Sequence, residues 1–341
     1  MDPSWWAVAI AGLMVGFVVG LTGMGGGALM TPMMILFFNV QPLAAVSSDL
    51  VASMVMKPVG GAVHLRKGTV NKDLVKWLVI GSVPSAFLGV LVLRWIGDGE
   101  QTESVVKASL GVALLFAAGS MVAKALLDLR KAQQRYAAAA AAGEVPEVQV
   151  EDIRVRKVPT LLVGIIGGLV VGMTSVGSGS LMIVALLLLY PTIRAGQLVG
   201  TDLVQAVPLV ASASLGHLLF GDFRLDLTTS LLIGALPGVY VGARVSSSAP
   251  GGIVRRSLVI VLLASGLKLL DAGTVTLVVV LLAVAVVGPL LWATVYRASQ
   301  PEGSDRGPRD LLLAAVTGRW LSWGAGQERP AERSDRSDRS A

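Results

Sequence analysis

The sequence predicts an all-α, polytopic integral membrane protein built from two helical repeats of inverted topology, with glycine-broken short or re-entrant helices. Three observations support this prediction: the composition, the spacing of the apolar segments and an internal repeat. Of the 341 residues, 54% are hydrophobic and 15% are charged, whereas a soluble globular chain has about 25% charged residues. The charges gather between long apolar runs, which is the pattern of helices that cross a bilayer.

The second half of the chain repeats the first. Residues 16–30 return as residues 168–182, 152 positions later, and after a one-residue insertion the match continues 153 positions apart. The later matched pairs are Asp49 with Asp202, His64 with His217, Gly68 with Gly221, Asp73 with Asp226, Pro84 with Pro237 and Gly89 with Gly242. Two copies of one unit, each with a glycine-broken apolar stretch, are typical of membrane transporters built from internal repeats.

Eleven apolar segments are predicted to be helices. Two of them, 25–38 and 178–190, are short for a membrane span, which needs about 20 residues. Each contains or follows a glycine cluster, and both tilted short helices and re-entrant hairpins remain open for them. The predicted segments are 5–22, 25–38, 43–64, 76–95, 104–127, 160–174, 178–190, 197–220, 228–245, 254–270 and 273–297.

The segments divide the chain into two transmembrane repeats, a linker and a tail. Residues 1–127 are expected to form the first repeat, residues 128–158 a cytoplasmic linker, and residues 159–298 the second repeat with a last helix. Residues 299–341 are expected to form a cytoplasmic, largely disordered tail, because they are polar and end in a Ser-Asp-Arg repeat. Since residues 1–6 contain no basic residue, the first segment is expected to be an uncleaved helix.

Loop charge predicts the orientation of the two repeats. The loop at 65–75 is strongly basic and is expected to be cytoplasmic, whereas its match at 221–226 is net acidic and is expected to lie outside. The first repeat also has five segments, an odd number, which would turn the second copy over. Both observations predict inverted repeats in a multi-pass protein of the cell (inner) membrane, with a cytoplasmic C-terminus.

Several classes of site are disfavoured by the composition. The chain has no cysteine and two histidines, so we expect no disulfide, thiolate site or ordinary zinc site. No metal and no cofactor are expected. The net charge of +6 follows from basic loops and the tail, so nucleic acid is not an expected partner. The sequence has no Walker loop, so we do not expect ATP hydrolysis.

The glycine clusters are the predicted substrate-binding elements. Glycine allows the backbone to unwind, and a helix that restarts after the break presents free N–H groups and a positive dipole end to an anion. The alternative is close helix packing through small residues. The candidate residues are Thr22, Gly23, Gly25, Gly26 and Gly27 in the first copy, and Thr174, Ser175, Gly177, Ser178 and Gly179 in the second.

Five ionisable residues fall within or at the ends of apolar segments. Lys57 is a candidate partner for an anionic substrate, and Val210 occupies its matched position. Asp49 and Asp202 are candidates for ion coupling, because an acid in a membrane helix is functional by default. Their alternative role is helix N-capping. His64 and His217 are candidates for coupling or gating, with an interfacial structural role as the alternative.

With these residues in place, the chain resembles the sulfite exporter TauE/SafE family, the TSUP permeases. The resemblance rests on Gly20-Leu21-Thr22-Gly23-Met24-Gly25-Gly26-Gly27, on its repeat at 172–179 and on the segments of Asp49 and Asp202. It covers roughly residues 5–297. The resemblance implies transport of sulfur-containing anions such as sulfite, sulfonates and sulfoacetate, coupled to an ion gradient.

The expected function is therefore that of a secondary transporter for a small sulfur-containing anion, and not that of an enzyme. Its expected partners are the anion, the lipid bilayer and a coupling proton or sodium ion, with a homo-oligomer left open. Two alternatives are kept. One is a cation or metal exporter that uses Asp49 and Asp202. The other is a non-transport protein, either a scaffold or a hydrolase that pairs a serine of Gly177-Ser178-Gly179-Ser180 with His217.

Overall fold

The computed structural model describes residues 5–22, 26–66, 68–97, 99–142, 154–193, 195–220, 223–245 and 251–284. Within these ranges the chain forms eleven helices and no β-strand. The helices are α1 (Trp5–Thr22), α2 (Gly27–Phe38), α3 (Pro42–Arg66), α4 (Lys72–Ile96), α5 (Glu100–Ala142), α6 (Lys157–Thr174), α7 (Leu181–Leu189), α8 (Ala195–Phe220), α9 (Leu225–Val245), α10 (Gly251–Leu269) and α11 (Thr274–Val284). The rest of segment 273–297 and the predicted tail 299–341 lie outside the described residues.

The described helices confirm an all-α polytopic membrane protein. Five of them, α4, α5, α6, α8 and α9, are long and apolar enough to cross a membrane. The two short segments are α2, with 12 residues, and α7, with 9 residues. At 1.5 Å per residue they are about 18 Å and about 14 Å long, roughly half the thickness of a bilayer core.

Helix α5 is longer than its predicted segment, 104–127. It has 43 residues and ends at Ala142. Six consecutive alanines at 137–142 explain the extension, because alanine is the strongest helix former although it adds little hydrophobicity. The helix is about 65 Å long, about twice the bilayer core. The first part of the predicted linker is therefore helical, and residues 143–153 of it lie outside the described residues.

Matched helices of the two halves run in opposite directions. Ser47, near the start of α3, hydrogen-bonds to His217, near the end of α8, at 2.8 Å. At the other end of this pair, a Cβ on Gly200 would lie 3.0 Å from Nδ1 of His64. Helices α3 and α8, which occupy the same place in their repeats, are thus antiparallel. This is the relationship that inverted repeats require.

Two close helix pairs are exchanged by the same symmetry. Helix α9 packs along α1, and α4 packs along α6, with α1 matching α6 and α9 matching α4. The matched glycines Gly242 and Gly89 lie in these contacts. A Cβ on Gly242 would lie 2.1 Å from the carbonyl oxygen of Phe17, and one on Gly89 would lie 2.6 Å from that of Leu169. Here glycine serves close backbone packing, as in many membrane helix pairs.

Buried apolar side chains join the two halves. One cluster connects α2, α5, α9 and α10 through Met30, Met34, Leu114, Leu231 and Leu262. A second cluster connects α3, α4, α6 and α8. The helices of the two repeats therefore pack against one another in a common buried core.

Helices α6 and α7 form a hairpin. The Tyr190 hydroxyl, just after α7, accepts a hydrogen bond from the backbone N–H of Arg156 at 2.8 Å and lies 2.6 Å from Oγ1 of Thr160. Both partners lie at the start of α6. Because the end of α7 lies beside the start of α6, segment 178–190 folds back along α6 and is the returning arm of a hairpin.

Candidate functional site

The chain unwinds between α6 and α7, at residues 175–180, which we call the second break. Its backbone enters the left-handed region at Ser175 (φ 61°), Gly177 (φ 134°) and Gly179 (φ 101°). Glycine adopts these angles without the steric penalty of a Cβ, which explains Gly177 and Gly179, whereas Ser175 adopts its angle as the C-cap of α6. Ser175 and Ser178 are buried. The second glycine cluster therefore places hydroxyl groups and unwound backbone inside the protein.

The start of α2 abuts the second break. A Cβ on Gly27 would lie 2.1 Å from the carbonyl oxygen of Ser175, so only glycine permits this approach. Gly26 precedes α2 and its carbonyl accepts the N–H of Met30 at 2.8 Å. The glycine clusters of the two halves are therefore in contact through Gly27 and Ser175.

The remaining predicted binding residues add no described side-chain contact between the two halves. Gly23 and Gly25 lie outside the described residues, as does the side chain of Thr22. The Thr174 hydroxyl donates to the carbonyl of Val170 at 2.6 Å, within its own helix, and also contacts the backbone of Val176 in the second break at 3.2 Å.

Asp49 is fully buried beside the second break. Its Oδ2 accepts hydrogen bonds from the Thr31 hydroxyl of α2, at 2.9 Å, and from the Ser175 hydroxyl. Its Oδ1 is buried and has no hydrogen-bond partner within the part of the chain that the structure describes. Asp49 thus bridges α3, α2 and the second break through one oxygen and leaves the other unsatisfied.

Neither aspartate caps a helix. Helix α3 begins at Pro42, where proline suits the first turn, and Asp49 lies two turns further on. Helix α8 begins at Ala195, so Asp202 also lies two turns inside. The N-cap alternative is therefore wrong for both residues.

Lys57 points into the same region. Its side chain is buried, and its ammonium donates a hydrogen bond to the Ser178 hydroxyl in the second break. Both Asp202 and Asp49 attract this ammonium. Asp49 and Lys57 lie on either side of the middle of α3, far from its ends. Lys57 therefore does not extend to the interface.

Asp202 of α8 is buried and attracts the ammonium of Lys57. It accepts hydrogen bonds from the side-chain amide of Gln205, at 3.2 Å, and from the backbone N–H of Gly179. The amide also donates to the sulfur of Met182 at 2.7 Å. The second break therefore contacts all three charged residues: Ser175 binds Asp49, Ser178 binds Lys57 and Gly179 binds Asp202.

Sequence reasoning missed two residues of this site, Thr31 and Gln205. Gln205 follows Asp202 by three positions in an apolar helix, which places both side chains on one face. This spacing could have identified Gln205 as a neighbour of Asp202 from the sequence. Thr31 offered no such signal, because a threonine satisfied within its own helix would look the same in the sequence.

The two histidines are not part of this site. His217 is fully buried; its Nε2 donates to the carbonyl of Gly172 at 2.8 Å, and its Nδ1 lies 2.8 Å from the Ser47 hydroxyl. His64 is half-buried, with Nδ1 2.9 Å from Oγ1 of Thr69. Because α3 and α8 are antiparallel, the matched histidines lie at opposite ends of this helix pair.

The charged groups suit neither a metal centre nor a serine–histidine pair. Among the described residues, no group of three or more His, Cys, Asp or Glu side chains is placed to hold a metal ion. Ser178 contacts Lys57, whereas His217 bonds to Ser47 and Gly172. The hydrolase pairing of Ser178 with His217 is therefore wrong. The site combines hydroxyl groups, a backbone N–H, one ammonium and the two carboxylates of Asp49 and Asp202.

The chain matches the family model described as sulfite exporter TauE/SafE over residues 8–269. It is 36% identical over 265 residues to the "Probable membrane transporter protein YjnA" of Bacillus subtilis (strain 168), covering 77% of this chain and 99% of that protein. It is 21% identical over 261 residues to the "Probable membrane transporter protein YdhB" of the same organism, covering 75% of this chain and 96% of that protein. No solved structure matches the chain.

Proposed function

Since this chain belongs to the sulfite exporter TauE/SafE family of membrane transporters, we propose that it moves a small sulfur-containing anion, such as sulfite or an organosulfonate, across the membrane. The transport is secondary and coupled to an ion gradient. The protein lies in the cell (inner) membrane with its C-terminus in the cytoplasm, as its basic loops predict. The anion binds between α3, α8 and the second break.

The burial of Lys57 inside a membrane helix is the observation on which this proposal depends. A charged side chain at the centre of a membrane helix costs about 2.5–3.5 kcal/mol, so a buried lysine there calls for a function. Its hydrogen-bond partner, the Ser178 hydroxyl, is neutral and can turn to donate to a ligand oxygen. An ammonium with nearby hydroxyl and N–H donors matches the oxygens of sulfite or a sulfonate.

The competing functions fit these residues less well. A cation in the site would be repelled by Lys57, which interacts with both carboxylates that a cation exporter would use. A serine hydrolase needs a neutral base beside its nucleophile. Ser178 instead contacts Lys57, and His217, the base of the expected pair, bonds to Ser47 and to the carbonyl of Gly172.

Flux into proteoliposomes tests the proposal. The purified protein should accumulate labelled sulfite or methanesulfonate under an imposed ion gradient, and unlabelled anions should compete while metal cations should not. Lys57→Ala should reduce flux by about tenfold or more, equivalent to at least about 1.4 kcal/mol. Lys76→Ala is the matched control, because Lys76 is an exposed lysine on α4. Failure to move either anion, or competition by cations alone, would reject the anion function.

A further inference from the structure

We propose that the two matched aspartates have different roles: Asp49 takes up the coupling proton, while Asp202 stays ionised as the counter-ion of Lys57. This inference rests on the proposed function, because it names the coupling ion and the residue that binds it. It departs from the repeat symmetry, under which Asp49 and Asp202 would be equivalent.

The hydrogen-bond partners of the two acids differ in kind. Both partners of Asp49 are hydroxyls, from Thr31 and Ser175. A hydroxyl can donate to a carboxylate or accept from a carboxylic acid, so either protonation state of Asp49 keeps its partners. The partners of Asp202 are the amide of Gln205 and the N–H of Gly179, which can only donate. Such donors favour the ionised form of Asp202.

The two oxygens of Asp49 also differ. Oδ2 accepts two hydrogen bonds, whereas the buried Oδ1 has no partner among the described residues. A buried charged oxygen without a donor is unfavourable, because burial removes its water and no hydrogen bond replaces it. A proton added to Oδ1 removes the negative charge and breaks no hydrogen bond. The carboxylate becomes a carboxylic acid, with the proton taken from water on the side where the anion enters.

The charges around the site require such a proton when the anion binds. Asp49, Asp202 and Lys57 together have a net negative charge. A bound anion beside an ionised carboxylate would be repelled far more strongly in this buried site than in water. Protonation of Asp49 removes that repulsion and leaves Lys57 and Asp202 as a neutral pair.

No other titratable group in the described surroundings of Asp49 is placed to take up this proton in its stead. His217 of α8 faces Ser47 and Gly172, and Lys124 of α5 acts on Asp202. Helix α2 and the second break present hydroxyls to Asp49. The titratable residues of α9, which also packs against α3, are exposed: Asp226, Tyr240 and Arg244.

Infrared difference spectroscopy of the full chain tests where the proton binds. A protonated buried carboxyl has a carbonyl stretching band that is absent from the ionised form. We expect acidification of the ligand-free protein to produce this band, Asp49→Asn to remove it and Asp202→Asn to retain it. A band that survives in Asp49→Asn, a band lost in Asp202→Asn, or no band at any pH would overturn the assignment. If Asp49→Asn does not fold, Thr31→Val should shift the pH at which the band appears.

Calorimetry in buffers of different ionisation enthalpy tests the coupling. Methanesulfonate is the probe, because it stays ionised over the whole working range whereas sulfite itself titrates. The wild type and Asp202→Asn should each take up one proton per bound anion, and Asp49→Asn should bind without proton uptake. Binding without proton uptake in the wild type overturns the coupling and leaves the anion function standing. No binding of methanesulfonate or thiosulfate, with the infrared assignment as expected, rejects the anion function instead.

Discussion

The ammonium of Lys57 donates a hydrogen bond to the hydroxyl of Ser178, and the two residues come from opposite halves of an internally repeated chain. Lys57 lies in the middle of α3, in the first repeat, and Ser178 lies in the second break. Their contact brings a buried charge, whose matched position in the other repeat is the uncharged Val210, to the glycine cluster of the second break. The predictions below follow from this asymmetric site and from the inverted fold around it.

Replacing Lys57 should weaken anion binding more than replacing Asp49. A nearby fixed ammonium stabilises a poorly hydrated anion far more than it would in water, whereas Asp49→Asn resembles the protonated acid. We expect Lys57→Ala to lower anion affinity by about tenfold or more, and Asp49→Asn to slow flux while leaving affinity largely unchanged. Calorimetry on the folded variants measures this. Unchanged affinity in Lys57→Ala with lost affinity in Asp49→Asn would favour the cation exporter.

Gly27→Ala should destabilise the contact between the two glycine clusters. The added methyl would lie 2.1 Å from the carbonyl oxygen of Ser175, and a backbone atom cannot move aside cheaply. We expect a lower melting temperature in detergent and reduced flux. Gly119→Ala is the control, because nothing lies within 4 Å of its Cβ position and alanine stabilises a helix interior by about 1 kcal/mol. Equal stability of the two variants would show that the contact is not tight.

Matched positions in the two repeats should lie on opposite sides of the membrane. Lys72 begins α4 and Leu225 begins α9, both are exposed, and they are 153 positions apart. Because the chain has no cysteine, single cysteines at these positions can be labelled without background. We expect Lys72→Cys to react only from the cytoplasmic side and Leu225→Cys only from outside. Labelling of both from one side would contradict the inverted topology.

Removing the buried histidine should destabilise the fold more than removing its match. His217→Ala removes the imidazole donor from the buried carbonyl of Gly172, a loss of about 1–3 kcal/mol, whereas the Ser47 hydroxyl keeps its bond to the carbonyl of Leu43. His64 is half-buried, so water can replace its contacts in His64→Ala. Thermal unfolding in detergent compares the two. Equal losses of stability would mean that the two ends of the α3 and α8 pair exclude water equally.

The local pattern of the sequence predicted most of the helices and both short segments. Long apolar runs and glycine clusters have local physical causes, namely the hydrophobicity that a span requires and the backbone freedom of glycine. The unwound backbone at Gly177 and Gly179 and the nine-residue α7 follow from these causes. Where local propensity and hydrophobicity disagree, the prediction failed: the alanines that end α5 continue the helix beyond its apolar part.

By itself, the sequence determined the class, the family and the inverted repeat of this protein, because repetition, hydropathy and loop charge are written along the chain. Only the tertiary structure decided which groups meet. Asp49 and Asp202 match in sequence, yet one is bound by hydroxyls and the other by N–H donors. The physical reason is that Ser175 and Lys57 find partners more than 100 positions away, through the packing of antiparallel halves. Contacts over such separations depend on helix packing, which local sequence patterns do not encode.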